Sequence, residues 1–173
     1  MPQLASRDLA RRIAQALALI GGAAALVASC GAAGRSYTWN HSPSLPRGLY
    51  RLCPTAHPVR DAVVSFPVPP TVTALISARH YLPADAKLLK TVVALPGDRV
   101  DIDPSGYRVN GHLIGSVSPT DAVGRPLPAF SFSGPVPPGF AFVATSAPLS
   151  FDSRYFGPVP ISSLAVAVPV WTY

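Results

Sequence analysis

Glutamate is absent from this chain of 173 residues, and only two cysteines, Cys30 and Cys53, occur in it. Glutamate is a common surface residue of exposed helices, so its absence disfavours long solvent-exposed helices. The two cysteines form no metal-ligand pattern. A disulfide between them would require an oxidising compartment, and we favour two unpaired thiols. We predict that the protein binds no metal ion and no other cofactor.

The basic residues form no run interleaved with aromatic residues, although the net charge is +6. Nucleic-acid-binding domains usually cluster lysine and arginine on one face or along one element. Here the positive charge comes mostly from arginines scattered singly, which indicates solubility and membrane orientation instead. The sequence therefore predicts no nucleic-acid partner.

Proline and glycine are abundant, with 21 and 13 residues, and no helical periodicity follows residue 35. This composition is typical of short strands joined by many turns, and the length allows one modest domain. Asn110–Gly111 predicts a tight hairpin, whereas Thr71–Tyr81 is ambiguous between a short helix and a loop. We predict a mostly β domain with strands at Gly48–Leu52, Asp61–Phe66, Leu88–Leu95, Asp98–Ile102, Tyr107–Ile114, Phe140–Thr145 and Leu164–Val170.

The N-terminus combines a basic lead, residues 1–12, with an apolar run, residues 13–34. As a helix rising ~1.5 Å per residue, the apolar run is long enough to cross a hydrocarbon core of ~30 Å. Basic residues before it predict a cytoplasmic N-terminus and an external domain, residues 35–173. We therefore predict a membrane-anchored protein whose domain lies outside the cytoplasm.

Two alternatives to a retained anchor stay open. A cleavable signal peptide has the same order of basic, apolar and small residues. Val27–Cys30 also resembles a lipoprotein signal, in which Cys30 would be acylated after cleavage. A retained anchor or a lipid would each keep the domain at the membrane.

The stretch Asn40–Tyr50 is rich in serine, proline and glycine, so it predicts a constrained loop rather than a helix or central strand. Its hydroxyl-bearing residues Ser42 and Ser44 are separated by a single proline. Together they could serve as a nucleophile and a neighbouring hydrogen-bond donor. The alternative is an ordinary linker between anchor and domain.

A serine nucleophile needs a base, and lysine can provide one if it is held neutral. On a strand, Leu88, Lys90, Val92 and Ala94 share one face, which surrounds the amine with apolar side chains. Burial disfavours the ammonium form and lowers the pKa of a lysine. Lys87 falls on the opposite face. The alternative for Lys90 is a strand-end lysine that reaches solvent, and none of the four histidines lies in a triad context.

Three segments, in this order, resemble signature blocks of the signal peptidase I family: Ser44–Pro46, Lys90–Asp98 and Ser150–Gly157. The stretch Asn40–Tyr50 looks most like the conjugal-transfer branch of that family, the TraF-type Ser/Lys peptidases. The resemblance implies a signal-peptidase/LexA-like β-fold catalytic domain behind one N-terminal transmembrane helix. It covers most of the chain beyond the apolar run.

The same resemblance implies a role for each matching residue. Ser44 matches the acylated nucleophile and Lys90 the general base, while the Ser42 hydroxyl and the Ser44 backbone N–H match the oxyanion hole. Ser150 matches a residue that orients the lysine amine. Asp152 and Arg154 match a supporting ion pair.

Some positions depart from the general family pattern. Leu45 replaces the usual methionine, Phe142–Ser146 stands where a Gly-Asp pair is common, and the interval between Lys90 and Ser150 is too short for a large inserted β-domain. These departures disfavour general secretory processing.

The resemblance implies a serine endopeptidase that is anchored in the bacterial inner membrane and faces the periplasm. Its implied role is to process a pilin precursor for a conjugative type IV secretion system, with head-to-tail cyclisation as one outcome. Two alternatives are a general type I signal peptidase and a non-catalytic lipoprotein or assembly component of the secretion apparatus. A LexA-like self-cleaving repressor is disfavoured by the apolar N-terminus and by the lack of a helix-turn-helix motif.

Overall fold

The computed structural model describes residues 36–54, 57–83 and 86–173. The predicted basic lead, residues 1–12, and the predicted anchor, residues 13–34, lie outside the described residues, as does Cys30. Within the part that is described, no helix is long and apolar enough to cross a membrane.

The described chain is built mostly from β-strands, which confirms the predicted fold class. The strands are β1 (Ser36–Asn40), β2 (Gly48–Pro54), β3 (Val63–Phe66), β4 (Leu88–Ala94), β5 (Arg99–Asp103), β6 (Gly106–Val109), β7 (His112–Gly115), β8 (Phe132–Pro135), β9 (Phe140–Ala144), β10 (Val159–Pro160) and β11 (Ala165–Thr172). The helices are α1 (Pro70–Ala78), α2 (Ser153–Phe156) and a 3₁₀ turn at Ile161–Ser163.

The strands form two antiparallel sheets. The larger has seven strands in the order β1-β2-β11-β3-β4-β9-β10, and the smaller has four in the order β7-β6-β5-β8. The C-terminal strand β11 lies between β2 and β3, so the end of the chain joins two early strands. β4 is paired on both edges, with β3 and β9, which makes it an interior strand.

Three clusters of buried side chains lie on the larger sheet, and the third consists of Tyr50, Leu52, Leu89 and Ala167. The first combines Val64, Val92 and Val143 with Val72 and Ile76 of α1. The second joins Ala94 and Phe142 to the smaller sheet through Val100, Ile102 and Tyr107.

The register of β4 against β9 shifts between Val92 and Ala94. Leu88 and Val92 belong to the first cluster, but Ala94 belongs to the second. The prediction of one continuous face from Leu88 to Ala94 is therefore wrong at its last residue, because an irregularity breaks the alternation of side chains.

The ambiguous segment Thr71–Tyr81 is largely helical, because α1 begins at Pro70 and buries Val72 and Ile76. Proline suits the first turn of a helix, where its missing N–H has no partner to lose. The predicted hairpin is present between β6 and β7. There Asn110 and Gly111 have φ values of 50° and 82°, the left-handed pair that a type I′ turn requires.

Five elements were not predicted: β1, β8, β10, α2 and the 3₁₀ turn at Ile161–Ser163. They are short or flanked by proline or glycine. The strands β1, β8 and β10 pair with β2, β5 and β9, so each depends on a partner outside its own segment. The expectation of a free thiol at Cys53 is also wrong, because this cysteine is disulfide-bonded.

Candidate active site

The loop between β1 and β2 is organised by a buried asparagine. Asn40 is only 4% exposed. Its Nδ2 donates to the backbone carbonyls of Ser42 (3.1 Å), Leu45 (3.0 Å) and Pro46 (3.0 Å), and its Oδ1 accepts from the Ser42 N–H (3.0 Å). The proline-rich loop has few backbone donors of its own, so one side chain satisfies the carbonyls that turn inward.

Within this loop, two serine side chains contact one another. The Oγ atoms of Ser42 and Ser44 are 2.9 Å apart, and the Ser44 N–H donates to the Ser42 Oγ at 3.2 Å. The structure therefore brings together the two groups predicted for an oxyanion hole. In this arrangement they hydrogen-bond to each other.

Lys90 lies on β4, opposite Val64 of β3, and its side chain is 4% exposed. Its Nζ donates to the Ser44 Oγ at 3.2 Å and to the Ser150 Oγ at 2.9 Å. Lys87, by contrast, is exposed. Lys90 is thus buried and Lys87 exposed, as predicted from the sequence.

The segment after β9 contains a buried ion pair. Arg154 Nε contacts Asp152 Oδ1 at 2.8 Å, and Arg154 Nη2 contacts Asp152 Oδ2 at 2.7 Å. The side chains are 1% and 0% exposed. Because both contacts are charge-assisted and parallel, the guanidinium has a fixed orientation.

Arg154 uses its remaining donors to hold the chain just before Ser150. It donates to the carbonyls of Thr145 (3.1 Å) and Ala147 (3.3 Å), and the Ser150 N–H in turn donates to the Ala147 carbonyl (3.1 Å). The ion pair thereby fixes the backbone that carries Ser150. Arg154 therefore contacts the backbone next to the hydroxyl that lies beside Lys90.

These polar groups open on one cleft of about 850 Å³. Apolar residues make up much of its wall, including Ile76, Leu82, Leu88, Leu127 and Phe151. An apolar cleft with a few converging polar groups is the usual form of a substrate site. Ser42, Ser44, Lys90 and Ser150 all line it.

The family model described as "Signal peptidase, peptidase S26" matches residues 7–171. The chain belongs to the signal peptidase S26 family. The mostly β domain described above is therefore the catalytic domain of a serine peptidase family, and the cleft with its convergent hydroxyls and lysine is its candidate active site.

Curated relatives of this S26 peptidase carry conjugal-transfer names. It is 40% identical to the conjugal transfer protein TraF of Agrobacterium tumefaciens over 172 residues, covering 92% of this chain and 97% of the relative. It is also 40% identical to TraF of Agrobacterium fabrum, covering 79% and 83%. The plasmid transfer protein TraF of Escherichia coli is 33% identical, covering 94% and 98%.

A solved structure of signal peptidase I from Enterococcus faecalis is also similar. The two chains share 23% identity with a TM-score of 0.38, over 65% of this chain and 97% of that one. The family assignment of the S26 peptidase rests on the sequence matches.

The environment of Lys90 favours its neutral form. Burial lowers the pKa of Lys90 from 10.5 to about 8, the nearby charge of Asp152 partly offsets this by raising it, and Arg154 lowers it further. For Arg154, burial alone would lower the pKa, but the hydrogen bonds and charge of Asp152 outweigh burial and raise it. The S26 peptidase thus keeps Arg154 as a permanent cation in an ion pair, whereas burial shifts Lys90 towards its neutral form.

Sequence reasoning assigned no role to Asn40. Asparagine side chains often hydrogen-bond the backbone two residues further along the chain, and the residues that follow Asn40 indicate such a turn. It also missed Tyr81, Asp121 and Arg125, which line the cleft. These three are scattered in sequence, so no motif joins them. Among the described residues, no group of three His, Cys, Asp or Glu side chains lies close enough to hold a metal ion.

Proposed function

We propose that Ser44 and Lys90 form the catalytic dyad of this S26 peptidase. The observation that carries the proposal is the 3.2 Å contact between Lys90 Nζ and Ser44 Oγ in a buried setting. With a pKa of about 8, roughly a tenth of Lys90 is neutral at pH 7, which is enough for a base poised near the working pH.

In the acylation step, neutral Lys90 accepts the hydroxyl proton of Ser44 while the Oγ attacks the scissile carbonyl. The ester bond to Ser44 forms, the peptide C–N bond breaks, and the ammonium of Lys90 returns the proton to the leaving amine. Ser150, 2.9 Å from Nζ, keeps the amine directed at Ser44. Water or a second amine then attacks the acyl-enzyme by the same proton route in reverse.

The Ser44 N–H and the Ser42 hydroxyl are proposed to stabilise the oxyanion. The Ser44 N–H donates to Ser42 at 3.2 Å, so a substrate carbonyl must take over that N–H as it binds. The Ser42 hydroxyl can then turn its own hydrogen towards the same oxygen. Removing one such donor in other enzymes costs about 3–4 kcal/mol of transition-state stabilisation.

For the substrate, we propose a pilin precursor of a conjugative type IV secretion system. Support comes from the relatives named as conjugal or plasmid transfer proteins TraF, which align over most of this chain. We further propose that the pilin's own α-amine can resolve the acyl-enzyme and close the chain head to tail. An amine held near the site on a shared membrane acts at high effective concentration.

We also propose that the protein is held in the bacterial inner membrane with its domain in the periplasm. The apolar run at residues 13–34, preceded by basic residues, supports this. So does an exposed aromatic surface formed by Tyr37 and Trp39 of β1, Trp171 of β11 and Tyr173, which directly follows β11. The rings of Trp39 and Trp171 are 5.7 Å apart, and tryptophan and tyrosine are enriched where proteins meet lipid headgroups.

The test uses full-length protein with a pilin precursor from the same conjugative system, followed by mass spectrometry. Ser44→Ala and Lys90→Ala should abolish processing and remain folded, whereas the matched control Lys87→Ala should keep most activity. A cyclic product weighs one water less than the linear one and has no free N-terminus. Activity in Lys90→Ala together with loss in Lys87→Ala would refute the proposed base.

Two rival functions predict different results. A general signal peptidase is compatible with the family description, and depletion of such an enzyme would impair export broadly rather than mating alone. A non-catalytic assembly component would not form a covalent adduct with an acylating inhibitor. Mass-spectrometric detection of an adduct on Ser44 would therefore exclude the non-catalytic function.

A further inference from the structure

A second polar cluster lines the cleft away from the Ser44–Lys90 pair. Its centre is the carboxylate of Asp121, which accepts from the backbone N–H groups of Val123 (3.0 Å) and Arg125 (2.9 Å), from Arg125 Nε (2.7 Å) and from the Tyr81 hydroxyl. Burial would raise the pKa of Asp121, but the hydrogen bonds from Tyr81 and Arg125 outweigh it and hold the pKa well below its usual range. The Asp121 carboxylate is thus ionised, and both of its oxygens accept hydrogen bonds.

The cluster holds Arg125 in one orientation. Asp121 binds its Nε, and the guanidinium lies 5.3 Å from the centre of the Tyr81 ring. The Tyr81 hydroxyl also interacts with the Arg125 guanidinium, and the Arg125 side chain lines the cleft with 44% of it exposed. The guanidinium is therefore held at Nε, and part of it is open to the cleft.

This arrangement exceeds what the loop needs for its own stability. Tyr81 and the two backbone N–H groups already bind Asp121, and Arg79 lies 3.7 Å from the same carboxylate. Arg125 in addition places partly exposed, charged donors on the cleft wall. An arginine fork with its plane fixed in advance loses little entropy when it binds a carboxylate.

The cluster is connected to the catalytic residues through aromatic packing. The Tyr81 ring contacts the Phe151 ring edge-on, with centroids 6.0 Å apart. Phe151 directly follows Ser150, whose Oγ is 2.9 Å from Lys90 Nζ. A peptide lying in the cleft would therefore meet both Lys90 and Arg125.

The charges on the cleft wall also favour an anion. Of the lining residues that the structure describes, Asp121 is the only acidic one, and its carboxylate is occupied. Lys87 and Arg125 are cationic and line the same cleft. A substrate carboxylate would find these two cations and the largely protonated Lys90 there, and no competing free anion among those residues.

We propose that Arg125 binds a carboxylate of the peptide substrate and so determines specificity. The carboxylate belongs either to an aspartate or glutamate side chain or to the substrate's free C-terminus. The inference rests on the proposed Ser44–Lys90 peptidase function, because it concerns which peptides that site cleaves. Arg125 would then determine specificity, and its loop lies outside the three segments that resemble signature blocks of the family.

The experiment measures cleavage of paired synthetic peptides by the full-length protein in detergent, with products quantified by mass spectrometry. In one arm, Glu or Asp at each position is replaced by Gln or Asn. In the other arm, the C-terminal carboxylate is replaced by a carboxamide. We expect the carboxylate form to be cleaved about tenfold faster in at least one arm, since a partly exposed charged hydrogen-bond pair supplies about that ratio.

Arg125→Gln should remove the preference by slowing cleavage of the carboxylate peptides, while the amide peptides keep their rate. Arg125→Lys should retain part of it, because the charge remains but the planar fork is lost. Arg108→Gln is the matched control, since Arg108 lies on β6, bonds Ser105 at 3.1 Å and does not line the cleft.

Each result has a distinct meaning. If the preference is seen in one arm but not in the other, that arm identifies the source of the carboxylate and the proposal is supported. Equal cleavage of both forms by the wild-type protein would overturn it. So would an Arg125→Gln variant that slows both forms equally, since that is the effect of a merely structural arginine. Failure to cleave any peptide would refute the Ser44–Lys90 function itself, and this inference with it.

Discussion

The rate of peptide cleavage should depend on pH through Lys90. Because its pKa is lowered from 10.5 to about 8, the neutral fraction is about 1% at pH 6, about 9% at pH 7 and about 90% at pH 9. The value of kcat/KM should therefore rise about tenfold from pH 6 to 7, rise about tenfold again from pH 7 to 9, and then level off. A lysine with an unperturbed pKa would give a rise of about tenfold per pH unit that continues beyond pH 9.

The assay is the initial rate of cleavage of one peptide by the full-length protein between pH 6 and 10. Circular dichroism at each pH checks that the fold is intact. A rate that is flat from pH 6 to 9 would refute a lysine base. A rate still rising tenfold per unit at pH 10 would refute the lowered pKa.

The same pKa shift predicts an effect on stability. Lys90 binds a proton more weakly in the folded than in the unfolded chain, so the free energy of unfolding should rise as pH increases from about 8 to 10.5. The shift corresponds to about 3 kcal/mol at ~1.4 kcal/mol per pKa unit, and below pH 8 that penalty is fully present. Lys90→Met should therefore stabilise the fold at pH 7 by up to about 3 kcal/mol and remove this pH dependence. Denaturant melts at pH 7 and 10 measure both, and a destabilised Lys90→Met would contradict the argument.

Three further predictions follow from other parts of the molecule. Asp152→Asn should destabilise the fold by about 3–5 kcal/mol in urea melts, because it leaves Arg154 buried without a counter-charge; a loss under 1 kcal/mol would be inconsistent with that. Gly48→Ala should unfold or severely destabilise the domain, since its Cβ would lie 2.0 Å from the Trp171 carbonyl oxygen and φ is +139°; a normal melting temperature would contradict this. The chain has 2 tryptophans, Trp39 and Trp171, both on the aromatic surface, so their fluorescence in vesicles should be quenched by brominated lipids. Quenching by aqueous iodide alone would argue against a membrane-facing surface.

Features that depend on neighbouring residues were readable from the sequence. The strand cores at β2, β4 and β9, and the hairpin at Asn110–Gly111, follow from side-chain alternation and from the left-handed backbone that glycine and asparagine tolerate. Lys90 is buried on the face that this period assigns to it. Leu89 on the opposite face is buried too, so the exposure of Lys87 comes from its place before the start of β4. The identity of the hydroxyl and amine candidates came from motif resemblance, because pattern alone left a linker and a solvent-reaching lysine as alternatives.

Only the tertiary structure decided which distant groups meet. Ser44 and Lys90 are 46 residues apart, and Lys90 and Ser150 are 60 apart, yet all three converge because β4 lies between β3 and β9. The register shift that moves Ala94 into another cluster likewise arises from pairing with β9. The cleft loop that fixes Arg125 against Tyr81 depends on segments more than 40 residues apart being packed together. Such contacts depend on how the sheets assemble, and no local pattern of residues encodes them.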